Sequence, residues 1–417
     1  GYSFAGQEII LEMVGEGLAH ADRGAVLKGV MGAHTCDGNR IAIEIENASG
    51  KLLKKTTHVT LNTTDYPNLP ADLVGKFKPL CFGRILNMQP IRVSTASPLY
   101  LLSGQSWNAV SEVRDNGVLL TLTTEYTVQL TATGGATVTL VVEPVGVVTV
   151  TGNSAILAEG SAYSGELGKI VEELVRQQAS FAAADVDAAM IAQYKIDAPY
   201  EIGLLIPEPT PVQDLLDKII TGVPSTYRVS RAGVFEVSRF TLPTEAAATA
   251  FTDGIQTKDL STFEFPTPLY RAVIKYAQYW FVHGEGDIAA SLKDGVGGNP
   301  ATRERLKLEF RTHTGEDTAI LTWAPLAEEK VLETSLTLQA DAQTVATNIL
   351  SLFGARRSIA KNRFTIYPLT LNMGKTVDFT SDRYSVNGKR RIISMEERFS
   401  AFLATLVQHE IDLQMWA

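Results

Sequence analysis

Cysteine is scarce in this chain of 417 residues, which contains only Cys36 and Cys81. Disulfide-rich secreted domains use many more cysteines, and zinc sites often pair them as CxxC. The sequence therefore predicts neither a disulfide framework nor a cysteine-based metal site. We interpret both residues as reduced thiols packed like small apolar side chains, with one disulfide as the alternative.

Basic charge is also in short supply, because 37 Lys and Arg residues face 46 Asp and Glu residues, for a formal net charge of −9. A nucleic-acid-binding protein needs a basic surface that neutralises phosphates, so stable binding of nucleic acid is not predicted. Arg356-Arg357 and Lys389-Arg390-Arg391 are too short and too far apart to form a basic stripe. We interpret the first pair as cations that follow a helix end, and the second cluster as the start of a strand. Contact between subunits is the alternative for both.

Long apolar runs are absent, and none approaches the roughly 18 residues that a membrane-spanning helix needs. The most apolar stretch, Val138–Val150, is broken by Glu143, Pro144 and Gly146. Stable membrane insertion is therefore not predicted. The N-terminal sequence GYSFAGQEIILEM has no initiator methionine and no signal-peptide pattern, so we expect a fragment of a longer polypeptide, with a processed chain as the alternative.

Catalytic motifs are missing as well. No GxSxG elbow is present, and Gly295–Pro300 lacks the lysine and hydroxyl of a phosphate-binding loop, so we interpret it as a flexible loop. The histidines are scattered, with no pair at the spacing of a helical zinc site. They are His20, His34, His58, His283, His313 and His409. The sequence thus predicts a protein that is not an enzyme and has no catalytic, cofactor-binding or metal-binding residues.

Acidic and aromatic residues offer weaker alternatives. Asp115, Glu125 and Glu143 are the nearest candidates for a pair of hydrolytic carboxylates, although solvated strand faces explain them more simply. Asp185 and Asp187 match two positions of a calcium loop, but an acidic helix N-terminus explains them better, with Asp185 as the N-cap. The aromatic residues Tyr276, Tyr279 and Trp280 suit a sugar-stacking platform or, more simply, a sheet core and an interface.

Hydrophobic periodicity predicts a mainly β, multi-domain protein with an α+β insert. Alternation with a period of two marks strands in residues 1–65 and, after a proline-containing linker, in residues 66–155. Helical spacing appears in an insert at 156–262, and residues 263–417 form a second β region with one helix. These are the four predicted domains.

Individual elements follow from the same patterns. Turns are predicted at Asp37-Gly38-Asn39 and Ser49-Gly50-Lys51, and a hairpin turn at Asn116-Gly117. Helices are predicted from Leu167, at Asp185–Tyr194, at Pro211–Ile220, and at Asp341–Phe353 with Asp341 as its cap. Strands are predicted at Thr226–Ser238 (a hairpin), Arg271–Phe281, Arg305–Thr312, Phe364–Leu369, Thr376–Thr380, Lys389–Phe399 and Ala404–Leu413. Leu242–Thr257 and Asp287–Arg303 are predicted loops.

The chain resembles the tail-tip and baseplate-hub proteins of tailed bacteriophages. The resemblance is carried by KPLCFGRILNMQPIRVS and YLLSGQSWNAVSEVRDNGVLL between Lys78 and Leu120, preceded by FAGQEIILEMVG and DGNRIAIEIEN. Further on, YAQYW, DAQTVATNIL and LNMGKTVDFTSDRYSVNGKRRIISMEERF resemble the C-terminal hub region. These motifs are strands and turns rather than catalytic signatures.

The resemblance implies tail-tube-like β-barrel domains and a structural role in the virion. It implies a homotrimeric ring that joins the tail tube or distal tail protein to spike or fibre proteins and surrounds the path of the DNA. The last motif would close a small barrel through a return strand, Arg390–Arg398.

Two other functions remain alternatives at this point. One is a carbohydrate-binding or cell-wall-degrading tail protein, and the other is a receptor-binding adhesin that uses the loop Asp287–Arg303.

Overall fold

The structure is a computed structural model that describes residues 7–13, 19, 21, 24–37, 40–131, 134–154, 163–230, 232–252, 262–293, 299–364, 371, 373–382, 386–402 and 406–417. The fold is multi-domain and mainly β, with several sheets and a set of helices, as the sequence predicts. In the described residues no helix is both long enough and apolar enough to cross a membrane. The four domain boundaries stay predictions.

The N-terminal strands form an antiparallel meander, which confirms the prediction for this region. The strands are β1 (Glu8–Met13), β2 (Gly24–Asp37) and β3 (Arg40–Asn47). The turn predicted at Ser49-Gly50-Lys51 is instead part of a 3₁₀ helix, Ala48–Leu53, while Gly38 and Asn39 lie outside the described residues.

The next region folds into two antiparallel sheets. Its strands are β4 (Leu80–Met88), β5 (Ile91–Arg92), β6 (Leu99–Ser103), β7 (Ala109–Asp115), β8 (Val118–Leu119), β9 (Tyr126–Gln129), β10 (Ala136–Leu140) and β11 (Val148–Asn153). Asn116 and Gly117 join β7 to β8 with φ of 52° and 83°. Two consecutive positive φ angles characterise the type I′ turn favoured by Asn-Gly, so the predicted hairpin is confirmed.

The insert contains three helices, a further strand and a hairpin. They are α1 (Leu167–Glu173, extended by a π-helical turn Leu174–Gln178), α2 (Ala188–Asp197), β12 (Gly203–Ile206), α3 (Val212–Thr221), β13 (Ser225–Val229) and β14 (Phe235–Arg239). β12 adds to the sheet of β4, giving the order β12-β4-β11-β7-β8, while β5-β6-β10-β9 form the second sheet.

The N-cap predicted for α2 is wrong by two residues. The carboxylate of Asp187, not Asp185, accepts a hydrogen bond from the Met190 backbone N–H at 2.9 Å. Asp185 lies in a 3₁₀ turn and binds Lys51 and Lys28 instead. Either aspartate could serve as an N-cap, because both have the required side-chain oxygen. The residue at which the first helical turn begins decides which one does.

Residues 250–353, which include the end of the predicted insert, alternate short strands and helices. Its elements are β15 (Ala250–Thr252), β16 (Thr262–Glu264), β17 (Leu269–Tyr276), α4 (Ala290–Lys293), α5 (Pro300–Leu306), β18 (Arg311–Glu316), α6 (Ile320–Trp323), β19 (Glu328–Glu333) and α7 (Gln339–Phe353). β17 lies between β18 and β19, and α7 covers one face of this sheet.

Several predictions fail in this segment. The loop predicted at Leu242–Thr257 contains β15, and the strand predicted at Arg271–Phe281 already ends at Tyr276. The loop Asp287–Arg303 contains α4 and runs into α5, while its residues 294–298 lie outside the described residues.

The strand predicted at Arg305–Thr312 begins at Arg311 instead, because α5 extends to Leu306. Asn299 accepts a hydrogen bond from the Thr302 N–H at 3.1 Å and Pro300 occupies the first turn. Asn followed by Pro is a helix-start signal that the sequence did contain.

The cap predicted for α7 is also wrong. Leu338 is the N-cap, whereas the Asp341 carboxylate accepts a hydrogen bond from the Glu201 backbone N–H at 2.9 Å. Asp341 therefore ties α7 to the strand region before β12, a long-range contact that periodicity does not reveal.

The C-terminal sheet contains β20 (Ile359–Phe364), β21 (Thr376–Ser381), β22 (Val386–Phe402) and β23 (Leu406–Trp416). Its order is β15-β21-β22-β23-β20-β16, so two strands from far upstream form its ends. The strands predicted at 376–380, 389–399 and 404–413 are confirmed in their described parts, and residues 365–369 lie outside them.

The largest apolar cluster, here called the central core, joins the insert to the segment that follows it. Helices α1, α2, α3 and α7 pack there with β12 and β17. The apolar stripe predicted for α3 is buried in it, and consists of Val212, Leu215, Leu216 and Ile219. A separate C-terminal core, built around Phe251, Phe364 and Phe379, lies in the last sheet.

Candidate functional site: two exposed apolar surfaces

The candidate hydrolytic carboxylates all serve local structure. Asp115 accepts hydrogen bonds from the backbone N–H groups of Val145 and Gly146, both at 2.8 Å. Glu125 accepts one from the Thr121 N–H at 2.6 Å, and Glu143 forms an exposed ion pair with Arg92. Each carboxylate is bound to its own turn or a neighbouring strand, so the geometry gives no acid–base pair across a cleft.

Two histidines have structural surroundings. His58 contacts the Lys78 carbonyl through Nδ1 at 2.9 Å and the Thr56 hydroxyl through Nε2 at 3.0 Å. Burial lowers its pKa and the contact with the Lys78 carbonyl opposes that change. His283 is only 2 % exposed, and burial likewise lowers its pKa. The side chains of His20, His34 and His409 lie outside the described part.

No metal centre is assembled in the described residues, where no three His, Cys, Asp or Glu side chains come together. Asp185 is 3.2 Å from the Lys51 ammonium, and Asp187 caps α2. Cys81 is a free, fully buried thiol whose pKa is raised by burial. The side chain of Cys36 is not among the described ones.

The aromatic residues Tyr276, Tyr279 and Trp280 do not form an open platform. Tyr276 is buried in the central core. The Arg305 guanidinium lies 3.4 Å from the Tyr279 ring centroid, and the Lys218 ammonium lies 4.8 Å from that of Trp280. Cations thus cover one face of each remaining ring, where a sugar would otherwise stack.

The basic clusters are used within the chain. Arg357 donates from Nε to the Leu352 carbonyl at 2.8 Å, and a second donor contacts the Ser351 carbonyl. This confirms that the pair at 356–357 follows a helix end, since both carbonyls belong to the last turn of α7.

The second cluster lies inside the C-terminal sheet. Arg390 and Arg391 are only 6 % and 4 % exposed, so little of either side chain is accessible to a neighbouring subunit. Arg391 donates to the Gly374 carbonyl, the Thr241 hydroxyl and the Glu245 carboxylate, each at 3.0 Å. Sequence spacing gave no sign of this burial.

The first exposed apolar surface is a turn between β10 and β11, here called the valine loop (residues 141–146). Val141, Val142 and Val145 are 60 %, 73 % and 89 % exposed. The two hydrogen bonds from the loop to Asp115 fix its backbone against the end of β7. A rigid loop therefore presents three apolar side chains to solvent.

The second surface is a groove of about 490 Å³, here called the proline groove. It lies where the chain enters β17, and the segments that follow α6 and α7 form its other side. Its apolar lining includes Phe265, Pro266, Pro268, Pro325 and Leu326, with Arg356 and Arg357 beside them. Phe265 and Leu326 are 72 % and 86 % exposed. Such exposed apolar surfaces mark candidate interaction sites.

Comparison with known proteins gives a likeness in fold only. No family model and no curated protein matches the chain. A chain of the virion of a native gene transfer agent particle is similar over 88 % of this chain and 91 % of its own, with 14 % identity and a TM-score of 0.50.

Two further solved structures are more distant. A tail protein of Neisseria meningitidis MC58 covers 76 % of this chain and 80 % of its own, with 11 % identity and a TM-score of 0.34. A prophage tail protein of Listeria monocytogenes EGD-e covers 90 % and 91 %, with 10 % identity and a TM-score of 0.30.

Proposed function

We propose that this chain is a structural subunit of a phage-type tail, located in the virion, where it forms a hub ring of three copies at the tail tip. The observation that carries the proposal is the likeness in fold to a virion chain over nearly the full length of both proteins. The tail-hub motifs in the sequence support the same role independently.

The long C-terminal hairpin supports a role in assembly. β22 has 17 residues, which span roughly 55 Å in an extended strand. It pairs with β21 at Val386–Arg391 and with β23 from Arg391 to Phe402, so one continuous strand links the sheet to the end of the hairpin. A hairpin of this length is suited to reach a neighbouring subunit.

The proposal includes no catalysis. The carboxylates considered for hydrolysis are bound in turns, and His58 is held by a carbonyl and a hydroxyl. In the proposed hub, the tail tube or distal tail protein binds one side and spike or fibre proteins bind the other. The net charge of −9 suits a subunit past which DNA moves without being retained, because phosphates bind to basic surfaces.

Mass photometry and negative-stain micrographs of the purified chain test the hub. We expect a species of three times the mass of one chain and ring-shaped particles with a central opening. A monomer at the highest soluble concentration, with no rings on the grid, would contradict the proposal.

Incubation with purified bacterial cell wall tests the absence of catalysis. We expect no release of reducing sugars or peptides above that of heat-denatured protein. Release that disappears in a Glu125→Gln variant would establish a hydrolase and replace the structural role.

A further inference from the structure

We propose that the copies join head to tail, with the valine loop of one copy inserted into the proline groove of the next. This inference rests on the proposed hub ring and names the two surfaces that would build it. The occupant of the groove is thus a second copy of this chain.

The two surfaces match in chemistry. The loop offers Val141, Val142 and Val145, all more than half exposed, from a backbone fixed by Asp115. The groove offers Phe265 and Leu326, exposed to a similar degree, on a frame of prolines that is rigid before binding. Little conformational freedom would be lost on either side, which favours association.

The two surfaces do not cover each other within one chain, because both are exposed in the same structure. The groove lies just before Leu269, the first residue of β17, whose eight residues span roughly 23 Å from first to last. Past the end of β17, Tyr279 forms a parallel bridge with Leu86 of β4. β4 runs on from Leu86 to Met88, and Met88 pairs with Val150 of β11. The valine loop lies further along, before Val148. The two surfaces therefore occupy opposite ends of this part of the molecule.

Charge favours the same pairing. Glu143, in the middle of the valine loop, is 58 % exposed even while it binds Arg92. Arg356 lies at the groove with its guanidinium 5.2 Å from the Trp323 ring centroid. An acidic group centred in one apolar surface and a basic group beside the other are complementary across a contact between copies.

A contact between two different surfaces has a consequence for symmetry. Each copy then carries one free loop and one free groove, so the chain of copies ends only when it closes on itself as a ring. A contact of the valine loop with another valine loop would instead stop at a dimer and would bring two Glu143 carboxylates together.

Two charged variants and their mixture test this arrangement in the full chain. Val145→Asp blocks the loop and Leu326→Asp blocks the groove, and both side chains are more than 80 % exposed, so neither change disturbs a buried core. We expect each variant alone to be monomeric by mass photometry. An equimolar mixture should form dimers, because the intact groove of one variant accepts the intact loop of the other.

The outcomes separate this inference from the hub proposal. If the wild-type chain forms rings and either variant does so equally well, or if the mixture stays monomeric, the pairing of these surfaces is wrong while the hub stands. A wild-type chain that stays monomeric would overturn both. Val74→Asp, at a side chain 51 % exposed and outside both surfaces, serves as the matched control and should assemble normally.

Charge reversal gives a second, independent readout. Glu143→Arg and Arg356→Glu should each weaken association about tenfold, and the double variant should recover most of that loss. Equal weakening in the single and double variants would show that the two residues do not meet.

Discussion

The central core and the C-terminal core differ in how they are built. In the central core, four helices pack on strands from three sheets, and aliphatic residues from positions as distant as Leu52 and Ile349 are buried together. Among the described side chains, the C-terminal core relies on a few phenylalanines, with Phe251 and Phe364 ring centroids 4.2 Å apart, and the buried Arg391 lies in the same sheet.

This difference indicates that the C-terminal sheet depends for its stability on contacts with the rest of the chain. Burial of apolar area is the main favourable term in folding, and a small core has little of it to offset chain entropy. The C-terminal sheet makes up for this at its junction with the central core. There Trp416 contacts the rings of Phe240 and Phe353 at 4.8 and 6.2 Å and the guanidinium of Arg357 at 5.3 Å.

The largest effect is expected for Phe364→Ala, because removing a buried phenylalanine costs about 3–5 kcal/mol. That loss is a large share of the stability of a small core, so β20 to β23 should lose protection from hydrogen exchange while α3 keeps it. Hydrogen exchange with mass spectrometry measures this. Phe82→Ala, the same change in the central core, is the control. Equal loss of protection in α3 and β20 for Phe364→Ala would show that the two cores unfold as one.

A smaller loss is expected for Trp416→Leu, which keeps an apolar side chain but removes the aromatic and cation contacts. Those contacts contribute about 1–2 kcal/mol together. We expect calorimetry to resolve the unfolding of the C-terminal sheet as a separate, earlier transition. Trp323→Leu removes an exposed tryptophan that also contacts an arginine, and should leave the transitions unchanged. An equal shift of the unfolding transition in both variants would show that the Trp416 contacts do not specifically stabilise the C-terminal sheet.

Within the central core, Asp187→Ala should lower the free energy of unfolding by about 1 kcal/mol, since it removes the N-cap of α2. Asp185→Ala, two residues earlier, removes only partly exposed ion pairs and should cost less. Urea unfolding followed by circular dichroism compares the two variants. A larger loss of stability for Asp185→Ala than for Asp187→Ala would show that Asp185 is the N-cap, as the sequence predicts.

The smallest effect concerns pH. Burial raises the pKa of Asp341 above its ordinary value of 3.8, so the folded chain holds this proton where the unfolded chain has released it. Stability from this group is therefore lost as pH rises from 3.8 through the raised pKa, with a slope that cannot exceed about 1.4 kcal/mol per pH unit. Asp341→Asn keeps an acceptor for the Glu201 N–H and should remove that slope in urea titrations between pH 3 and 6.

For Asp65 the expected slope of stability against pH has the opposite sign in the same titration. A hydrogen bond from the nearly buried Lys78, 2.7 Å away, lowers its pKa, so its contribution is present above 3.8 and is lost as pH falls through the lowered value. Asp65→Asn should flatten the acid side of the curve. Slopes of the same sign for Asp65 and Asp341 would show that one of the two pKa assignments is wrong.

Sequence periodicity predicted the elements whose cause is local. The stripe of α3 and the Asn116-Gly117 turn depend on residue types a few positions apart, and both are as expected. The caps at Asp185 and Asp341 were wrong because neighbouring or distant backbone decides which carboxylate is used. The strand β15 was missed because its partner, β21, lies far along the chain.

The exposed surfaces were beyond sequence reasoning for a similar reason. Val141, Val142 and Val145 looked like part of an apolar strand region, and only the path of the backbone shows that they point to solvent. Conversely, Arg390 and Arg391 looked like surface cations and are buried. Hydrophobic periodicity nevertheless predicted the mainly β fold correctly.

The order of strands in the C-terminal sheet has a consequence for synthesis on the ribosome. Ala250 pairs with Asp378 and Thr262 pairs with Lys361, so both ends of the sheet wait for strands made much later. All of α4 to α7 is synthesised in the interval, and α7 can pack on the central core first. Contacts so far apart in sequence also slow folding. During that delay Phe251 lacks the residues that bury it, and exposed apolar surface in a newly made chain favours aggregation.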